Sequence, residues 1–474
     1  MAASRPPAHP LRVAIVGAGP AAFFAAESLL RQETVPVEVD MFDRLPTPYG
    51  LVRHGVAPDH QRIKAVTRSF AQVAEHPHFR FFGNVEFGRD ITLDDLRTHF
   101  HQVLFATGAQ TDRRMGIPGE DLRGSHPATA FVAWYNGHPD FRDHVFDLSQ
   151  EHVVVVGVGN VALDVARILC LSPAELRATD IPAYAVDALS NSRVREVHLL
   201  GRRGPAQAAF TNPELKELGG LADADVVLRP DEADLDPLSA AALQQSGDRA
   251  LARRVELLRD YACRPPTGKP RRLVFRFLVA PVELLDDGFG AVAGVRVVRN
   301  RLVQADTGTL SAEPTGDFET IEAGLVFRSV GYRGVPLPGV PFHDRWGVIL
   351  NRVGRVLDQS TDDPIPGEYV SGWIKRGPSG VVGTNKPDSV ETVAAMFEDA
   401  ALGLTFQPAE PARDAIPTLL CRRNVEYFTF DDWLRLDALE CAAGAAAGCP
   451  RVKFTSVSDM RAALQSSEAQ SAAG

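Results

Sequence analysis

Twice in this sequence a glycine pair stands at the spacing that lets a backbone meet a pyrophosphate. Gly17, Gly19 and Ala22 form one G-x-G-x-x-A, and Gly157, Gly159 and Ala162 form a second, 140 residues further on. In such a turn the first glycine allows the bend and the second, having no Cβ, admits the phosphates. The small third residue lets helix pack on strand, with the helix N-terminus facing the anion. One copy also arises from packing alone, whereas two copies in the same context point to two dinucleotides. The segments that follow separate them. Val37-Glu-Val-Asp-Met-Phe-Asp43 ends on an acid, Asp43, at the position that accepts ribose hydroxyls, which suits FAD or NAD. Val194 to Gly204 carries no acid at its strand end but Arg202 and Arg203, which suit the 2′-phosphate of NADP that a carboxylate would repel. The plain alternative for the two arginines is a solvated basic loop.

These residues need elements to hold them. Val13-Ala-Ile-Val16 and Val153-Val-Val-Val156 are β-branched runs ahead of each turn, and Phe23–Arg31 and Leu163–Leu169 follow at helical spacing. Val103-Leu-Phe-Ala-Thr-Gly108 reads as a further strand ending in a turn. The expected fold class is α/β, with two Rossmann-like dinucleotide-binding domains (FAD and NADP), the NADP domain inserted into the FAD domain. The FAD domain is expected at 1–112 and 336–474, and the NADP domain at 113–335. Residues 221–248 read as an acidic surface helix and loops, 271–301 as strands, and 305–320 as a hairpin or exposed loop. The Ser/Ala/Gly tail from Ser466 reads as frayed.

Composition excludes several function classes. The 474 residues are 45% apolar, 23% charged and 8% aromatic, ordinary for a soluble globular chain. Fifty basic and 60 acidic residues leave a net charge of −10, a poor balance for nucleic-acid binding. Cys170, Cys263, Cys421, Cys441 and Cys449 include no C-x-x-C pair, which argues against a redox dithiol, a four-cysteine zinc site and a resident iron–sulfur cluster. No run has the ~18–20 apolar residues of a membrane span. The first ten residues show no export-type apolar segment, so a reducing cytoplasm is expected.

Four longer motifs are more specific: Pro48 to Lys64 (PYGLVRHGVAPDHQRIK), Gly157 to Arg167, Gly201 to Thr211, and Gly372 to Lys386 (GWIKRGPSGVVGTNK). Together they resemble the adrenodoxin-reductase type of ferredoxin–NADP reductase, in particular its bacterial NADPH–ferredoxin reductases. The likeness runs from about Leu11 to Val393, and Trp433 to Lys453 resembles the family's C-terminal region. It implies an FAD site at Gly17, Gly19, Ala21, Asp43, Gly50, Leu51, Val85, Trp373, Gly380, Val381 and Val382. It implies an NADP site at Arg113, Val158, Gly159, Asn160, Val161, Arg202, Arg203 and Glu214, with Gly380 where nicotinamide and flavin meet. Ala22 at the third fingerprint position and the aromatic Tyr49 both fit the pattern.

Hydride transfer to a flavin needs alignment more than an acid or base, so no catalytic triad is expected and Cys170 reads as a core residue. The resemblance places His60 near the nicotinamide, where it either orients the carboxamide or is a structural histidine bonded to Asp59 or backbone. Glu214, after Asn212-Pro213, is either a first-turn carboxylate or a ligand of the nicotinamide nucleotide. Both are expected catalytic residues. The expected partner is an acidic ferredoxin-like iron–sulfur protein. Residues 249–272 carry eight cations against two acids, a basic face including Arg253, Arg254 and Arg259. The rival readings are a flavoprotein reducing quinones or small acceptors, and a nucleotide-sensing protein without chemistry.

Overall fold

A computed structural model describes residues 10–305 and 308–473. The first nine residues, read above for an export segment, lie outside the described part. Contacts divide the chain into two compact units, the first comprising 1–111, 332–447 and 454–474, the second 112–331 and 448–453.

The first unit is built on a seven-stranded sheet. Strands β1 (Leu11–Val16), β2 (Val37–Asp43), β3 (Phe79–Gly83) and β4 (Gln102–Phe105) are parallel and ordered β4-β1-β2-β3. Pro364–Val370 joins β4 in parallel, and Arg355–Leu357 and Asn351–Arg352 extend that edge antiparallel. Every residue of β1 is buried, as expected of a strand covered on both faces. Helix α1 (Pro20–Arg31) packs Phe23 against Phe70 and Tyr49.

The second unit has a six-stranded, all-parallel sheet. Its strands are β5 (Ser125–Pro127), β6 (His152–Val156), β7 (Glu196–Gly201), β8 (Ala224–Leu228), β9 (Arg271–Phe277) and Leu325–Arg328. They are ordered β5, Leu325–Arg328, β6, β7, β9, β8. Helices α2 (Asn160–Cys170), α3 (Asn212–Leu218) and α4 (Arg249–Cys263) belong to this unit. A separate antiparallel sheet joins β10 (Val279–Asp286), β11 (Val292–Gln304) and β12 (Leu310–Glu322). Cys170 is a core residue, and burial pushes its thiol up to about 12.

Two expectations change and one pair of alternatives is decided. Within 221–248, read as helix and loops, Ala224–Leu228 is strand β8, because Val226 and Val227 pair with β9 despite their acidic neighbours. The 305–320 stretch is the hairpin of the two alternatives, although residues 306–307 lie outside the described part. The tail from Ser466 continues a helix, Val457–Ala473.

Residues 448–453, expected in the first domain, belong to the second unit. Lys453 explains why. Its ammonium is buried 3.1 Å from the Asp180 carboxylate and donates to the Asn136 carbonyl. A buried ammonium is stable only where it is paired and hydrogen-bonded.

Candidate dinucleotide sites

The turn after β1 shows why each glycine is there. Gly17 has φ +104, and a Cβ on it would stand 2.6 Å from the Ala106 carbonyl oxygen. Gly19 is different: its φ is −84 and a Cβ would meet nothing within 4 Å. Neither strain nor packing demands glycine there, so the open space fits a ligand that must come within contact of the backbone. No side chain caps the N-terminus of α1, and its first turn holds no acid. Those uncapped N–H groups suit a pyrophosphate. Gly19→Ala is therefore expected to cut FAD retention by about tenfold or more, while the urea midpoint stays put or rises slightly. Flavin content and denaturation curves check both halves.

Several expected FAD residues gather at this strand edge. Asp43 accepts from the Ala18 N–H at 2.8 Å and the Leu45 N–H at 2.9 Å. Burial pushes its carboxyl up, and those donors oppose the shift. The acid read as a ribose acceptor thus also ties the turn to the end of β2. Val85 is buried and donates its N–H to the Asp43 carbonyl. Tyr49 takes φ +82, costly for a bulky residue, and its ring is held among Phe23, Phe70 and Trp433. Its N–H bonds the Ala18 carbonyl, which seats Gly50 beside Gly19 and starts the short helix Leu51–His54. Ala21 touches the Gly372 position, and Ser389 Oγ donates to the Ala21 carbonyl.

Trp373 opens a one-turn helix, rests on Tyr332, and donates its indole N–H to the Ser379 carbonyl. Gly380, Val381 and Val382 then lead into helix α5 (Asn385–Ala401), again without a side-chain cap at its N-terminus. Val381 is 52% exposed. Among the described residues, no backbone acceptor takes the N–H groups of Gly380, Val381 or Val382. An apolar side chain beside free amides suits a flavin ring with its carbonyl edge.

The second unit repeats the first turn. Gly157 has φ +135 and abuts Ser329, whereas Gly159 has φ −107 with nothing within 4 Å of a Cβ. Val158 accepts from the Ala209 N–H, and Asn160 Oδ1 accepts from the Thr211 N–H at 2.9 Å. Val161 lies in the first turn of α2. Glu214, in the first turn of α3, accepts from Thr211 Oγ1 at 2.9 Å. Arg202 and Arg203 follow the end of β7, their backbone carbonyls held by Asn300 Nδ2 and the Leu278 N–H. Among the described residues neither guanidinium makes an ion pair, which leaves both for an anion. Burial and the neighbouring Arg202 together lower the pKa of Arg203. Arg113 is exposed and donates its N–H to the Gly331 carbonyl.

The remaining expectations divide between the units. His60 lies in the first, where its backbone caps the helix Gln61–Lys64, and Glu214 lies in the second. Gly380, assigned to both cofactors, is in the first unit, apart in sequence from the other NADP candidates. The basic run 249–272 is less open than its count implied. Arg254 is half-buried over the Phe210 ring and donates to the Ala208 carbonyl. Lys269 and Arg271 likewise bond backbone carbonyls, at Leu221 and at Cys170 and Leu171. Arg253 and Arg259 stay on the surface, facing Glu256 and Asp234.

Sequence reading missed Arg376, Thr384, Asn385 and Asp388. Asp388 accepts from the Gly372 N–H at 2.6 Å and pairs with Lys375 at 3.0 Å. The signal was present as cations before, and hydrogen-bonding side chains after, the loop Gly377-Pro-Ser-Gly-Val-Val-Gly383.

Residues 11–209 match the family model described as pyridine nucleotide-disulphide oxidoreductase. NADPH-ferredoxin reductase FprA of Mycobacterium tuberculosis is 46% identical, over 95% of this chain and 98% of that protein. The mitochondrial NADPH:adrenodoxin oxidoreductase of Arabidopsis thaliana is 40% identical, over 96% and 95%. A solved structure of Mycobacterium tuberculosis FprA in complex with NADPH is 45% identical with a TM-score of 0.89, covering 96% of this chain and 99% of that one. Identity at this level along almost the whole length, on a fold with two such glycine turns, makes the chain a member of the adrenodoxin-reductase-type NADPH–ferredoxin reductases.

Proposed function

We propose that this chain is an FAD-dependent NADPH–ferredoxin reductase, taking a hydride from NADPH and passing electrons singly to a ferredoxin-like iron–sulfur protein. The observation that carries the reading is the pair of glycine turns with open space at Gly19 and Gly159, the second followed by two arginines that pair with no described carboxylate. Bound FAD supplies the conversion between a two-electron donor and a one-electron acceptor. The protein binds and aligns. The first unit offers the α1 N-terminus, Asp43 and the Gly380–Val382 amides to FAD, with Ala21, Gly50, Leu51, Val85 and Trp373 as its walls. The second offers Val158–Val161 to the NADP pyrophosphate and Arg202 with Arg203 to the 2′-phosphate. His60, Glu214 and Arg113 are assigned to the nicotinamide nucleotide.

The acceptor's docking face is assigned to the exposed side of α4, at Arg253 and Arg259, with Arg254 turned inward beneath it. An acidic partner is steered by such charges, and their effect falls with salt. Five free cysteines suit a reducing cytoplasm, and no helix of the described residues is long and apolar enough to cross a membrane.

Anaerobic addition of NADPH tests the reading. The flavin absorbance is expected to bleach, and to recover when oxidised ferredoxin is added, faster at low salt. A flavin that does not bleach would sink the enzymatic reading. Bleaching followed by salt-independent reoxidation, with quinones preferred over ferredoxin, would favour the small-acceptor alternative.

A further inference from the structure

One side chain that the nucleotide motifs do not explain bonds both ends of the Gly377–Thr384 loop. The Arg376 guanidinium forks across the base of the loop. Nη1 donates to the Ser379 carbonyl at 2.6 Å and to Ser379 Oγ at 2.9 Å. Nη2 donates to Thr384 Oγ1 at 3.3 Å and to Asn385 Oδ1 at 3.0 Å. The same two acceptors carry the order inward. Thr384 Oγ1 donates to the Val381 carbonyl at 2.7 Å, and Asn385 Nδ2 donates to the Val382 carbonyl at 3.0 Å. Three loop carbonyls, those of Ser379, Val381 and Val382, are thereby held by side chains; Trp373 adds a second donor at Ser379 and the Thr384 N–H a second at Val381. The carbonyls of Ser379 and Val381 share their peptide units with the amides of Gly380 and Val382, and each unit directs its carbonyl and amide in opposite senses; among the described residues those two amides have no backbone acceptor.

We infer that Arg376 is a positioning residue, whose fork presents the amides of Gly380 and Val382 to the flavin by fixing the loop carbonyls through Ser379, Thr384 and Asn385. The inference rests on the FAD reading given above and adds a residue to it. Arginine is required because a planar fork reaches both ends of the loop, while a lysine ammonium is a single point. The alternative is a surface staple: the Arg376 side chain is 24% exposed and also lies 3.7 Å from Asp388.

The test compares full-length wild type with Arg376→Gln, Arg376→Lys and Thr384→Val, measuring the Kd of flavin released on dilution of the holoenzyme. Arg376→Gln is expected to weaken FAD by about 10–100-fold, with Arg376→Lys between it and wild type. Thr384→Val is expected to move the Kd in the same direction by a smaller step, because it removes one acceptor of the fork and the side-chain donor to the Val381 carbonyl, while the residue 384 N–H still bonds that carbonyl. A flavin Kd for Arg376→Gln within about threefold of wild type, with only the urea midpoint lowered, overturns the inference. If wild type itself retains no flavin, the FAD reading falls, a result distinct from wild type binding FAD while the variants match it.

Discussion

Cutting Glu440 back to alanine is expected to cost about 3–5 kcal/mol of stability, the loss typical when one partner of a buried ion pair is removed. Glu440 lies on the helix Phe430–Ala447, and its side chain is fully buried. It receives Arg53 in a two-point bond, Nη1 to Oε2 at 2.9 Å and Nη2 to Oε1 at 2.6 Å. The Phe454 N–H donates to the same Oε1 at 2.8 Å, and the Arg53 guanidinium lies 4.8 Å from the centre of the Trp433 ring. Alanine would remove the carboxylate that the buried guanidinium bonds at two points. Urea denaturation measures the loss, and a value below about 1 kcal/mol would mean that water reaches the site and screens it. The pair Arg53→Met with Glu440→Leu should recover much of the deficit, since two apolar groups carry no desolvation debt. That contrast separates the cost of removing one partner from the net worth of the bond.

Replacing Arg202 and Arg203 together by alanine should lower the NADPH-to-NADH ratio of kcat/KM by about 100-fold or more, at about 1.5–3 kcal/mol for each hydrogen bond to a charged group. The two guanidiniums are adjacent, mutually repelling, and matched by no described carboxylate. A dianionic 2′-phosphate relieves that repulsion, whereas the hydroxyl of NADH cannot. Each single variant should lose less than the pair, and NADH turnover should change little. An unchanged ratio in the double variant would show that the 2′-phosphate is bound elsewhere.

The parts of the site legible in sequence were those where the backbone itself is the functional group. Gly17 and Gly157 announce a positive φ, Gly19 and Gly159 an approach too close for a Cβ, and both requirements act within a few residues. Asp43 was legible as an acid at a strand end, but its bonds to Ala18 and Leu45 depend on how a loop returns to the first turn. The Arg53–Glu440 pair spans 387 positions and left no local trace. Arg376 stands inside a motif that the resemblance reads for Trp373 and Gly380–Val382. The basic run is legible only as a count, and counting charges says nothing about which side they face. Arg254, Lys269 and Arg271 bond backbone carbonyls inside their own unit. In 221–248 a paired strand prevailed over acidic composition, which is the usual result when a sheet edge can be completed.

The six residues Gly448–Lys453 change what it means to treat the second unit as a cassette. Judged by residues 112–331 alone, it is a two-joint insert of the kind that recombination can lift out and graft elsewhere. With Lys453 seated on Asp180 and Asn136, its covalent boundary has four ends instead of two. A transplanted 112–331 fragment would arrive with Asp180 buried and the ammonium that neutralises it left behind on the donor. Swapping nucleotide specificity between relatives by exchanging this unit therefore calls for moving the stretch Gly448–Lys453 as well, or for replacing Asp180 in the grafted fragment.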